Sequence, residues 1–168
     1  MAGRGRPRGI SDDAVRGGWW LARASGDAAR ARLEWSRSGL VEIPVGIHFD
    51  VVRLLSPQLG RAAIEDLQAS GLPPGPVMLD HARRHCYWLV AIEPGREWGI
   101  PEGELLSRRP GGRGPQTIPM PAVGVGRVGD REWLVGPDGS GLLTRRRDLA
   151  IAIRRTRSAL RPAGAPAP

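Results

Sequence analysis

Apolar positions along this chain recur in two periods, and each period predicts a kind of element. Trp19, Trp20 and Leu21 open an apolar cluster, and Asp27 then stands where an N-cap belongs. It precedes a helix predicted over residues 28–38, anchored by Leu33 and Trp35 and ended by Gly39. IPVGIHFDVVRLL, residues 43–55, is rich in β-branched residues and predicts the first strong strand. Ser56 and Pro57 then supply a cap and a first-turn proline, Leu59, Ala63 and Leu67 share one helical face, and Gly71 stops the run. Strands over 76–79 and 85–92 flank the polar DHARR as a hairpin. Residues 93–121, which include SRRPGGRGPQ, read as an irregular mobile loop. AVGVGRV and REWLVGP predict a last pair of strands and GPDGSG a turn. A final helix begins near Thr144, with Leu149, Ile153 and Leu160 as its apolar stripe. The order predicts an α+β fold: a mainly antiparallel sheet, an N-terminal helix, a helix after the first strand and a C-terminal helix.

The 168 residues suffice for one domain with a real core. Residues 19–160 are expected to form it, with a disordered basic tail over 1–18 and a disordered proline and alanine tail over 161–168. All 25 cationic side chains are arginine, and against 17 acids they leave a net charge of +8, which favours anionic partners such as nucleic acid. The absence of lysine excludes a side-chain Schiff base and the usual phosphate-binding loop. Cys86 is the single cysteine, so no intramolecular disulfide and no cysteine-rich metal site can form. Its plain reading is a small buried residue in a strand. No apolar run is long enough to span a bilayer, and a cytoplasmic protein without a membrane partner is expected.

GIHFDVVRL, the helix after it, GPVMLD, HCYWLV and REWLVGPDGSGLLT together resemble, over residues 19–155, shortened versions of the bifunctional DNA primase/polymerase N-terminal domain of high-GC bacteria. The resemblance implies a strand carrying an Asp-x-Asp or Asp-x-Glu pair for divalent metal. It also implies a small-x-His motif that contacts nucleotide, and a third acid. Residues i and i+2 of a strand point the same way, so such carboxylates can share hard metal ions. Asp50 matches the first acid, but Val52 stands in place of the second. His85 matches the histidine, with Arg83 in place of the small residue, and Asp130, Glu132 and Asp138 compete for the third acid. The resemblance therefore implies a degenerate, non-catalytic domain that binds nucleic acid or nucleotide, with Asp50 and His85 as the family-position candidates.

Two other readings differ in class. A small protein-interaction scaffold would keep the fold and contact a protein through the loop or the last helix. An active nucleotidyltransferase would need rearranged ligands, for which His48, Asp50 and His85 are the candidates. Those three donors suit zinc or manganese better than magnesium, and no magnesium, manganese or other cofactor is expected unless that site is active. The plain reading of His85 is packing or a surface hydrogen bond, and that of Asp50 an acid that takes nearby donors. GVGRVG lacks the helix a dinucleotide loop needs, and Ser140 lacks the glycine of a nucleophile elbow. Arg4-Gly5-Arg6-Pro7 spells the core of a minor-groove-binding segment. Arg4, Arg6, Arg83, Arg84, Arg146, Arg147, Arg154, Arg155 and Arg157 are the candidate phosphate contacts, and those of the last helix are expected on its sides and outer surface.

Overall fold

The computed structural model describes residues 10–95, 97–108 and 114–160, so Arg4, Arg6 and the tail expected over 161–168 lie outside the described residues. The Ser11 hydroxyl accepts the Ala14 N–H at 3.2 Å and opens helix α1, Asp12–Ala24, with Asp12 and Asp13 in its first turn. Residues 12–18, expected in the tail, are therefore helical. Their arginine- and glycine-rich surroundings obscured a cap followed by two acids. Gly17 is required there, because a Cβ would lie 1.7 Å from the Pro137 carbonyl oxygen.

Helix α2, Ala28–Ser38, has the predicted ends: Asp27 accepts the Arg30 N–H at 3.0 Å, and Gly39 closes it at φ 74°. Trp35 anchors α2 by donating Nε1–H to the Met120 carbonyl at 2.9 Å, whereas Leu33 is exposed. The single strand expected over 43–55 is two, β1 (Leu40–Pro44) and β2 (Asp50–Leu54). Gly46, at φ 80°, turns the chain between them and donates its N–H to the Phe49 carbonyl at 2.7 Å. Helix α3, Pro57–Ala69, follows as predicted on its Ser56 cap, with Leu59, Ala63 and Leu67 buried. Strands β3 (Val77–Asp80) and β4 (His85–Val90) form the expected hairpin.

The stretch 93–121 is less irregular than its prolines and glycines imply, because it holds β5 (Gly103–Leu106) and β6 (Thr117–Pro121). Strand β6 pairs with β1, and Pro119 and Pro121 occupy alternate positions, so the ladder loses no donor from Ile118 or Met120. AVGVGRV forms no strand: Gly124 and Gly126 sit at φ 82° and 75°, and only Val128 bridges to Arg131. The partner of β7 (Arg131–Val135) is β3.

An α+β fold results, with antiparallel sheets, helices at both ends and α3 after β2. The larger sheet has the order β5-β2-β4-β3-β7. Side-chain parity divides it. Val51, Met78, Tyr87 and Leu89 face a layer made of α1, α2, β1 and β6, while Val52, Leu54, Val77, Leu79, Cys86 and Trp88 face the other way. On that second face α3 packs beside α4, Arg146–Leu160, which docks through Leu149, Ala152 and Ile153. Leu160, expected in the stripe, is 53% exposed. The helix also starts later than Thr144, whose hydroxyl accepts the Gly75 N–H at 2.8 Å while Glu93 Oε1 accepts the Arg146 N–H at 3.1 Å. No helix among the described residues is long and apolar enough to cross a membrane.

Candidate nucleic-acid interface

The expected metal and nucleotide positions do not converge. Asp50 pairs with Val90 and shares the α3/α4 face of the sheet with Val52, while His85 pairs with Asp80 and shares the opposite face with Tyr87. Along β4, His85 lies five residues from Val90, the partner of Asp50, or roughly 17 Å along the strand. Asp50 is 2% exposed and accepts the Ser107 hydroxyl at 2.6 Å, so one carboxylate oxygen is already engaged. His48 is exposed on the β1–β2 connection. The third-acid candidates are each held locally. Asp130 pairs with Arg127, Glu132 with His81 at 3.0 Å, and Asp138 takes both the N–H and the hydroxyl of Ser140, which lower its pKa. Among the described residues no group of three or more His, Cys, Asp or Glu side chains could hold a metal ion.

His85 instead belongs to a polar cluster at one end of the sheet. Arg53, opposite Tyr87 on β2, forms an ion pair with Glu104 across to β5. Asp80 accepts the Arg83 N–H at 2.9 Å and pairs with the Arg131 guanidinium at 3.0 Å, while Arg131 also donates to the Pro119 carbonyl at 2.7 Å. The nearby Tyr87 hydroxyl holds the Arg83 guanidinium above its ordinary pKa, and Arg84 is exposed at the hairpin tip in the left-handed region, at φ 56°. Two nitrogens in this cluster, Arg53 Nε and His85 Nδ1, are buried without a hydrogen-bond partner. Burial first, then the charge of Arg53, holds the His85 imidazole below its ordinary pKa; Asp80 opposes this and Arg83 adds to it.

The arginines of α4 divide into two sets. Arg146, expected on the outside, is 3% exposed and donates to the Glu93 carbonyl, which fastens the helix start to the end of β4. Arg155 lies 3.7 Å from Asp66 of α3, and Arg157 lies 2.7 Å from Glu102. These two carboxylates belong to distant parts of the chain, so the sequence of the helix could not reveal the pairing. Arg147 and Arg154 are exposed and have no carboxylate partner among the described residues. They lie on one side of α4 with Ile151, at positions i, i+4 and i+7. That side faces residues 97–100 across a groove of about 380 Å³, lined by Trp98, Ile100 and Glu97 as well.

Trp98 went unrecognised from the sequence. The available signal was a large aromatic within an otherwise glycine- and proline-rich connection. Here it is half-buried, packed on the α3/α4 core, with its Nε1 beside Gly103. The groove thus combines an aromatic wall, two unneutralised guanidinium groups and one carboxylate. Such a surface can take phosphate and a flat apolar ring together. Comparison with protein-family models, with curated proteins and with solved structures finds no match to this chain.

Proposed function

We propose that the chain is a non-catalytic, primase/polymerase-like module that binds nucleic acid through α4. The observation that carries this reading is the pair Arg147 and Arg154, exposed on one side of the helix and free of carboxylates among the described residues. Their neighbours Arg155 and Arg157 already face carboxylates and contribute less to a phosphate-binding surface. The non-catalytic part rests on β2. Val52 can ligate nothing, and it is fully buried beneath the helices.

Binding to DNA and RNA oligonucleotides, measured at several salt concentrations, tests the reading. Arg147→Ala with Arg154→Ala is expected to leave folding intact, weaken binding and flatten the salt slope by about one to two units. Arg155→Ala with Arg157→Ala serves as the comparison and changes the slope less. No binding of the unmodified protein at low salt, or an unchanged slope in the first double variant, rejects the reading in favour of a protein-interaction scaffold. A second assay addresses catalysis: no labelled nucleotide is incorporated with magnesium or manganese, and incorporation abolished by Asp50→Ala would restore the nucleotidyltransferase reading.

A second mode of contact has its own support. Arg53 and His85 are half-buried on one face of adjacent strands, and the exposed part of the Arg53 guanidinium offers a cationic donor to the phosphate of a nucleotide there. Loss of nucleoside triphosphate binding on His85→Ala, with oligonucleotide binding at α4 retained, distinguishes this contact from the first.

A further inference from the structure

The groove beside α4 sets two exposed arginines and an isoleucine opposite an aromatic side chain. Arg147 and Arg154 stand seven residues apart, about 10 Å along the helix axis, so they bracket the groove and do not converge on a single phosphate. Between them Ile151 is apolar, and the opposite wall is Trp98 with Ile100. Glu97 lines the same wall and repels phosphate, which keeps a backbone on the α4 side and leaves the Trp98 side to a base. A base can reach that wall only if it is free of its complementary strand. A paired base is stacked inside its duplex and presents edges instead of a ring face.

We propose that this groove accepts one unpaired base against Trp98, with the flanking phosphates on Arg147 and Arg154, so that the module selects single-stranded over duplex nucleic acid. The proposal rests on the nucleic-acid reading of α4 and adds the strandedness of the ligand. Stacking tolerates every base, so little sequence preference is expected beyond an attraction of Glu97 for an exocyclic amino group.

The test uses the full chain with a fluorescently labelled single-stranded oligonucleotide, the matching duplex, and the same single strand carrying abasic sites. The single strand is expected to bind more tightly than the duplex, and abasic substitution to weaken it roughly 5- to 150-fold, the loss of one base–aromatic stack. Trp98→Ala should produce a loss of similar size for the single strand and leave duplex binding nearly unchanged. Trp98 packs on the core, so Trp98→Phe is the companion variant. It keeps a stacking ring, and it should retain most of the affinity while removing the quenching of tryptophan emission by the oligonucleotide. Equal affinity for single strand and duplex, with no effect of abasic sites, overturns the inference and leaves the α4 reading standing. No binding of either form rejects both.

Discussion

Asp80→Ala will destabilise the fold by about 3–5 kcal/mol, the usual cost of removing one partner from a buried ion pair. The Asp80 and Arg131 side chains are only 4% and 10% exposed and lie 3.0 Å apart. Removing the carboxylate leaves the guanidinium with the Pro119 carbonyl and the Tyr87 ring, whose centroid is 5.6 Å away, and strips the Arg83 N–H of its acceptor. Water cannot easily replace these partners, because the site lies between the larger sheet and the β1–β6 ribbon. The pair as a whole is a different matter. Asp80→Ala combined with Arg131→Met removes both charges and should recover much of the loss, since the attraction within a buried pair roughly balances its desolvation. Urea denaturation of the three variants measures this directly. A single-variant cost below about 1 kcal/mol would mean that the pair is hydrated like a surface ion pair.

The second large effect is expected at the centre of the opposite core. Trp88 is the largest fully buried side chain and lies among Val52, Leu79, Ala63 and Ile153. Trp88→Ala should cost about 3–5 kcal/mol, combining lost transfer energy with the cavity left behind. Trp88→Phe should cost far less, because the indole Nε1 is buried with no hydrogen-bond partner, and phenylalanine removes that unsatisfied donor along with the volume. Thermal or urea unfolding separates the two variants. Equal costs would show that the ring's shape, and not its volume, fixes the packing against Gly60 and Cys86.

Local signals proved sufficient wherever a cap or a turn residue stood next to a clear period. Asp27 and Gly39 bound α2, Ser56 and Pro57 open α3, and DHARR closes the β3–β4 hairpin. Elements without such marks were hidden. α1 begins inside an arginine- and glycine-rich stretch, β5 has four residues, and β6 carries two prolines that only its alternate-position pairing tolerates. The candidate site was harder to read, because it depends on contacts between distant residues. Nothing local to TRRRDLAIAIRRTRSAL shows that Glu93, Asp66 and Glu102 occupy Arg146, Arg155 and Arg157, which leaves Arg147 and Arg154 as the exposed pair. Side-chain parity within β2 is likewise plain from the sequence, but the register that relates it to β4 is a property of the sheet.

That register bears on whether polymerase chemistry could be engineered into this scaffold. On the proposed primase/polymerase-like reading, Val52→Asp would complete the acid pair, yet the new carboxylate would enter the apolar layer beneath α3 and α4, on the far side of the sheet from His85. Bringing both groups to one surface would require β2 to slip by one residue, which exchanges the faces of every side chain on the strand and drives Arg53 into that same layer. No single substitution is equivalent to such a slip. On that proposed primase/polymerase-like reading, the obstacle to an acid pair beside His85 is therefore topological: a designer would have to rebuild β2 together with its neighbours.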